Sequence, residues 1–263
     1  MKNSSDGDLI EVGPGTYSGT VIINKAVEIY STAGAALTLI RDPDPIQLVL
    51  VTIRVSGVTF GRLNGGFTIV GTKENLGGGS GGAGIEGGGN DVFDTTIVGN
   101  ILEGHTFGIS IGGAARVRLE GNVALDNVRG FLVYATGTTF TGNAAIGNEV
   151  GIEAGSEYAN ELSGNTIIGN SQTGFHFRIP AQTAARLVIH NNNIYGNGDA
   201  ADGCGVINES GGVINATNNY WGKADGPGPN PGDRAYGACL ARGNIVTTPF
   251  ATTSFPAVPA NAQ

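Results

Sequence analysis

Residues 121–134 read GNVALDNVRGFLVY, residues 142–154 read GNAAIGNEVGIEA and residues 164–178 read GNTIIGNSQTGFHFR. Aligned, they share one frame: a Gly-Asn pair, a short apolar run, a second Asn, then a Gly leading an alternation of inward and outward residues. The first Asn column continues as Asn100, Asn122, Asn143, Asn165, Asn192, Asn218 and Asn244, with steps of 22, 21, 22, 27, 26 and 26 residues. A second column follows five residues later at Asn127, Asn148, Asn170 and Asn197, with His105 in that place one coil earlier. The leading-glycine column runs Gly84, Gly108, Gly130, Gly151, Gly174 and Gly205. Apolar columns accompany them, at Ile97, Leu119, Phe140, Leu162 and Ile189, and at Leu102, Ala124, Ala145, Ile167, Ile194 and Tyr220.

A fixed period of this size identifies a repeat architecture. Three short strands fill each period, separated by turns where Gly takes positive φ without steric cost, and no room remains for helices. Such a chain must coil, each turn pairing in parallel with its neighbours about 4.8 Å away and stacking one inward side chain per column. The expectation is an all-β, right-handed parallel β-helix of about ten coils of roughly 22 residues with three short parallel sheets. The Asn columns are then hydrogen-bonded ladders along the axis.

Residues 1–250 read as one β-helix domain and 251–263 as a Thr/Ala/Pro-rich tail or linker. Only MKNSSD precedes the first strand, so the open end of the stack is expected to be covered by further domains of a larger chain. Glycine makes up 46 of 263 residues, 14% are charged and 40% are apolar, enough for a real core. Net charge is −8 with no basic run, which excludes a nucleic-acid binder. No apolar run is long enough for a membrane span, and MKNSSDGDLIEV has no apolar signal core. Cys204 and Cys239 fit no metal spacing, and whether they pair is left open. The segment Gly77 to Asn90, GGGSGGAGIEGGGN, lacks the Lys-Ser/Thr of a phosphate loop and reads as a flexible corner.

The pattern resembles the right-handed parallel β-helix repeat family over nearly the whole chain. GDLIEVGPGTYSGTVIINKAVEIYS, 7–31, looks like its usual opening coil, and NATNNYWGKADGPG, 215–228, is similar to the Asn-Asn-Trp-Trp-Gly segment near its C-terminus, with Tyr220 for the first Trp. That resemblance implies the fold. Its members include pectate lyases, polygalacturonases, mannuronan epimerases, copper-site assembly proteins and surface proteins, so it does not select an activity.

Function on a coil stack lies on outward side chains. The second place after each leading Gly reads Glu86, Ser110, Leu132, Glu153, His176 and Ile207, and the fourth reads Gly88, Gly112, Tyr134, Gly155, Arg178 and Glu209. Glu153 is expected beside His176, and Arg178 beside Glu209, at one strand spacing. RIPAQTAA protrudes from Arg178 and NGDAADG, with Asp199 and Asp202, precedes the next strand, so insertions wall this strand into a groove.

The epimerase motif Tyr-Gly-Phe/Ile-Asp-Pro-His falls on Thr173-Gly174-Phe175-His176-Phe177-Arg178, where only the Gly and Phe match. The groove is read as carbohydrate-active or polysaccharide-binding, with lyase, hydrolase or epimerase-like chemistry on an acidic polysaccharide. Arg178 would hold a uronate carboxylate, His176 or Tyr134 would move the proton, and Glu153 would orient the imidazole. Glu209, Asp199 and Asp202 would bind substrate. No cofactor is required, and Asp199 and Asp202 offer oxygen ligands suited to calcium. Localisation is expected to be extracellular or at the cell surface. The competing reading is a non-catalytic adhesin, spacer or structural module of a larger surface protein.

Overall fold

A computed structural model describes residues 3–41, 49–72, 82–88, 92–155, 161–178, 186–198, 204–227 and 245–257. It is a right-handed parallel β-helix built from three parallel sheets, each receiving every third strand of the chain. The first sheet has ten strands, from Leu9–Val12 to Ile245–Val246. The second has eight, from Gly15–Ser18 to Asn193–Tyr195, and the third has eight, from Val21–Ile23 to Cys204–Asn208.

Each inward column stacks in register. Ile97, Leu119, Phe140, Leu162 and Ile189 are successive partners in the first sheet. Ile109, Phe131, Ile152, Phe175 and Val206 are partners in the third, and both columns are buried. One spacing per coil brings identical positions into contact, so the core is a file of branched and aromatic side chains rather than a ball. Phe131 and Phe140 meet edge to face with centroids 4.8 Å apart.

The Gly-Asn pair proves to be a two-residue device. Gly99, Gly121, Gly142 and Gly164 all have φ between 60 and 68°, and the next residue turns its amide inward. Each inward Asn then bonds the coil below. Asn122 donates through its backbone N–H and Nδ2 to Asn143 Oδ1 at 2.9 and 3.0 Å, and the same Nδ2 donates to Ile97 O at 2.8 Å. The second ladder repeats this through Asn127, Asn148, Asn170 and Asn197.

The leading glycines serve a different need. A Cβ on Gly108, Gly130, Gly151 or Gly174 would stand 2.5 to 2.6 Å from the carbonyl oxygen of the next coil's leading Gly. Only a residue without Cβ allows that approach.

Three expectations change. The last described member of the first ladder is Asn219, which accepts from Asn192 N at 2.9 Å, whereas Asn218 is exposed with φ 57°. Asn218 occupies the left-handed turn that Gly fills in earlier coils, since Asn tolerates that region. The shift carries Trp221, not Tyr220, into the buried column. The near-22 period holds only from Thr96 to Glu161, because the earlier first-sheet strands begin at Leu9, Glu28 and Thr59, so that the first coil is shorter, at 19 residues, and the next two are lengthened to 31 and 37. The segment read as a flexible corner contains the third-sheet strand Ala83–Gly88, paired on both sides. Asn244 lies outside the described residues, as do 258–263 of the expected tail. Within the tail, Phe255 N donates to Asn193 Oδ1 at 2.9 Å.

Candidate functional site

Leu132, Glu153, His176 and Ile207 are register partners on successive strands of the third sheet, so their side chains form one outward row. Tyr134, Arg178 and Glu209 belong to the row two residues further on. The pleat puts both rows on the same face.

Glu153 is the centre. It is 4% exposed although it points outward, because it is enclosed by longer side chains. Its Oε2 accepts from Arg129 Nε at 2.7 Å, its Oε1 accepts from the Tyr134 hydroxyl at 2.8 Å, and Arg178 Nη1 lies 3.8 Å from Oε1. Burial pushes this carboxyl up. The hydrogen bonds from Arg129 and Tyr134, with the charges of Arg129 and Arg178, outweigh it and hold the group below the ordinary carboxylate range. The Tyr134 phenol, pushed by burial and by its bond to Glu153, rises to about 12.

His176 is 8% exposed. Its Nε2 accepts from Arg178 Nε at 3.3 Å and stands 3.2 Å from Glu209 Oε1. Arg178 Nε is 3.4 Å from Glu209 Oε2. One ring nitrogen cannot accept from the guanidinium and donate to the carboxylate at once, so His176 Nε2 has two alternative partners, chosen by which ring nitrogen carries the hydrogen. Arg178 and Glu209 leave 49% and 44% of their side chains in solvent, and Tyr134 is 37% exposed. The cluster thus presents an aromatic ring, a guanidinium and a carboxylate to solvent around a sealed ionic centre.

Tyr134, Glu153, His176, Arg178 and Glu209 therefore come together as the spacing implies. Asp199 and Asp202 lie outside the described residues, as do the wall segments 179–185 and 199–203. The residue missed is Arg129. It stands directly before its leading Gly, in a column that otherwise reads Ala83, Phe107, Val150, Thr173 and Cys204, and its charge there was the available signal. From that place it spans one coil to Glu153.

The other histidines sit apart. His105 heads the second ladder, its N–H donating to Asn127 Oδ1 at 2.9 Å and its ring Nε2 bonding Ile69 O at 3.0 Å; burial drives its pKa down to about 4, so the ring is neutral. His190 pairs with Glu161 on the first sheet at 3.4 Å. Among the described residues, no three of His, Cys, Asp and Glu stand together as a metal would require. Cys204 is disulfide-bonded, and the only other cysteine in the sequence, Cys239, lies outside the described residues. No described helix is long and apolar enough to cross a membrane.

Among solved structures, the chain is similar to the A-module of the Azotobacter vinelandii mannuronan C-5 epimerase AlgE4, at TM-score 0.59 and 17% identity over 81% of this chain and 70% of that one. The A-module of AlgE6 from the same organism gives 0.57 and 17% over 81% and 68%. The Dettilon tailspike protein gives 0.55 and 15% over 80% and 47%. These similarities establish the shared coil. No curated protein sequence matches. The family model described as "Periplasmic copper-binding protein (NosD)" matches residues 51–225, which include both ladders and the whole outward cluster, and the chain belongs to that family.

Proposed function

We propose that this protein is a polysaccharide-binding β-helix working outside the cytoplasm, and that the outward face of the third sheet holds an acidic glycan without cleaving it. The observation carrying this reading is the state of Glu153: nearly sealed, ionised and already bonded to Arg129 and Tyr134. A general acid or base needs an open coordination place and a pKa near the working pH. Glu153 has neither, the Tyr134 phenol at about 12 is protonated at neutral pH and accepts no proton, and His176 is 8% exposed with its Nε2 held between Arg178 and Glu209. What remains available is a binding surface. Tyr134 offers a ring for a sugar face, Arg178 a fork for a carboxylate and Glu209 an acceptor for hydroxyls. The disulfide at Cys204 suits an oxidising compartment, as does the family's periplasmic description.

Incubation with acidic and neutral polysaccharides should give retention on the acidic ones, loss of retention in Arg178→Ala, and neither unsaturated uronate absorbance nor new reducing ends. Product formation that disappears in His176→Ala would establish an enzyme instead.

The family match favours a second reading, assistance in building a copper site. Copper is held by Cys, Met and His. Among the described residues the histidines stand apart on separate faces and the cysteine is bonded, while the only methionine, Met1, lies outside them. These residues do not fit a resident copper ion, so this role would rest on docking a copper protein. Stoichiometric copper retained through gel filtration would overturn that assessment.

A further inference from the structure

The same sheet carries a second opening upstream of the cluster. A cleft of about 360 Å³ is lined by Thr52, Arg54, Glu86, Ser110 and Gly112, with Gly87 and Gly88 between them. Thr52, Glu86 and Ser110 are register partners on adjacent strands, and their row continues through Leu132 to Glu153 and His176. Thr52, Arg54, Glu86 and Ser110 give the cleft its polar groups, and Ile53 with the glycine backbone supplies an apolar remainder.

Two features separate this cleft from its surroundings. Every charged side chain of the His176 cluster has a charged partner. Arg54 and Glu86 are exposed, and among the described residues neither has a hydrogen-bonding or ionic partner for its side chain. A free guanidinium and a free carboxylate therefore face one cleft, on diagonal positions of neighbouring strands.

Gly112 is the other feature. A Cβ on Gly88 would stand 2.1 Å from Gly112 O, and one on Gly155 would stand 2.2 Å from the Tyr134 ring, so stacking explains both. A Cβ on Gly112 would meet nothing within 4 Å, and its φ is not in the left-handed region. Glycine weakens a strand interior and marks a bulge or the close approach of a ligand; the register irregularity of this strand falls between Gly112 and Ala115, while Gly112 itself keeps its pairing with Tyr134 and Gly88. Tyr134, the register partner of Gly112, has its ring over Gly155 on the far side, which leaves Gly112 bare.

We propose that this cleft is a separate uronate subsite: a linear acidic glycan lies across the strands along the coil axis, with one unit over Gly88 and Gly112, reached by Arg54 from one strand and Glu86 from the next, and later units on Tyr134, Arg178 and Glu209. Arg54 takes a carboxylate, Glu86 accepts from ring hydroxyls, and Thr52 and Ser110 bond either way. From the Thr52 strand to the Glu209 end are six strand spacings, roughly 29 Å, a length for several sugar units. The inference rests on the polysaccharide-binding reading, and the test separates the two.

Trimers and octamers of mannuronate and of galacturonate, with glucose octamers as the uncharged control, are titrated calorimetrically into the full chain and into Gly112→Leu, Arg54→Ala and Arg178→Ala. The expected result is a uronate octamer binding roughly tenfold more tightly than its trimer. Gly112→Leu and Arg54→Ala should reduce octamer affinity to the trimer level without changing the trimer and without lowering the melting temperature, and Arg178→Ala should weaken both. The glucose octamer should bind more weakly than the uronate octamer. An octamer no tighter than the trimer, octamer binding unchanged in Gly112→Leu and Arg54→Ala, or equal binding of the glucose octamer would overturn the subsite while Arg178→Ala still supports a glycan face. No binding of any oligomer to the unmodified chain would overturn both.

Discussion

The asparagine ladders and the Glu153 cluster are both files of hydrogen-bonded polar groups running along the coil axis, yet they differ in what each coil must supply. In the ladders every coil contributes the same residue to the same partner, at distances near 3 Å, with water excluded. In the cluster six different side chains from four coils meet once, and their outer ends are wet. Repetition satisfies the backbone. The cluster satisfies nothing that the coil needs, which is why its residues can serve a ligand.

The sharpest way to break the comparison is to remove one rung. Asn143→Ala leaves Asn122 N–H and Leu119 O buried without their partner and opens a gap, at a cost of about 3 to 4 kcal/mol. Denaturant melts should show it, and a loss as small as that of a surface substitution would mean that water replaces the amide.

Two glycines give the next contrast. Gly151→Ala places a Cβ 2.6 Å from Gly174 O, so the stacked coils must part, at about 2 kcal/mol. Gly112→Ala meets nothing and restricts the unfolded chain, which should stabilise by about 0.5 kcal/mol. The two melting temperatures should therefore move in opposite directions.

Arg129→Ala tests the cluster's centre. It takes the 2.7 Å partner from a nearly sealed carboxylate, leaving Tyr134 and the longer Arg178 contact. Because the Arg129 side chain is itself about one-third exposed, the expected loss is about 1 to 2 kcal/mol, short of the full cost of orphaning a buried charge.

Acid and alkali should act on this region through different residues. The folded Glu153 carboxyl titrates below the unfolded one, so its contribution is complete above the ordinary carboxylate range and is lost as pH falls below it. Tyr134 works the other way: the unfolded phenol ionises near 10 and the folded one near 12, so stability is complete below pH 10 and declines toward 12. With the ring over one-third exposed, that alkaline limb is worth below about 1 kcal/mol. Tyr134→Phe should flatten the alkaline limb of a stability profile and keep most of the acid one.

The coil was legible because its demands recur. Asn122, Asn143 and Asn165 announce a ladder by spacing alone, and Ile97, Leu119 and Phe140 a core. The reading slipped where a residue can stand in for another: Asn218 does a glycine's work in the turn, so the ladder passes to Asn219. The outward cluster was legible at His176 and Arg178, which break their columns. Arg129 was not, because the columns followed begin at the leading glycine and a long side chain reaches across a coil from the residue before it.

Arg178 closes the comparison with the smallest effect on the fold. Its guanidinium is about half in water, with contacts at 3.3, 3.4 and 3.8 Å to His176, Glu209 and Glu153. Exposed pairs of this kind contribute about 0 to 1 kcal/mol, so Arg178→Ala should change unfolding free energy by under about 0.5 kcal/mol. Its effect on glycan retention should be the largest of the cluster, opposite in rank to Arg129→Ala, which harms the fold first. Measuring both variants by melting and by glycan titration separates the residue that builds the face from the residue that uses it. If the two variants lose stability and binding in the same proportion, the cluster is only another part of the scaffold.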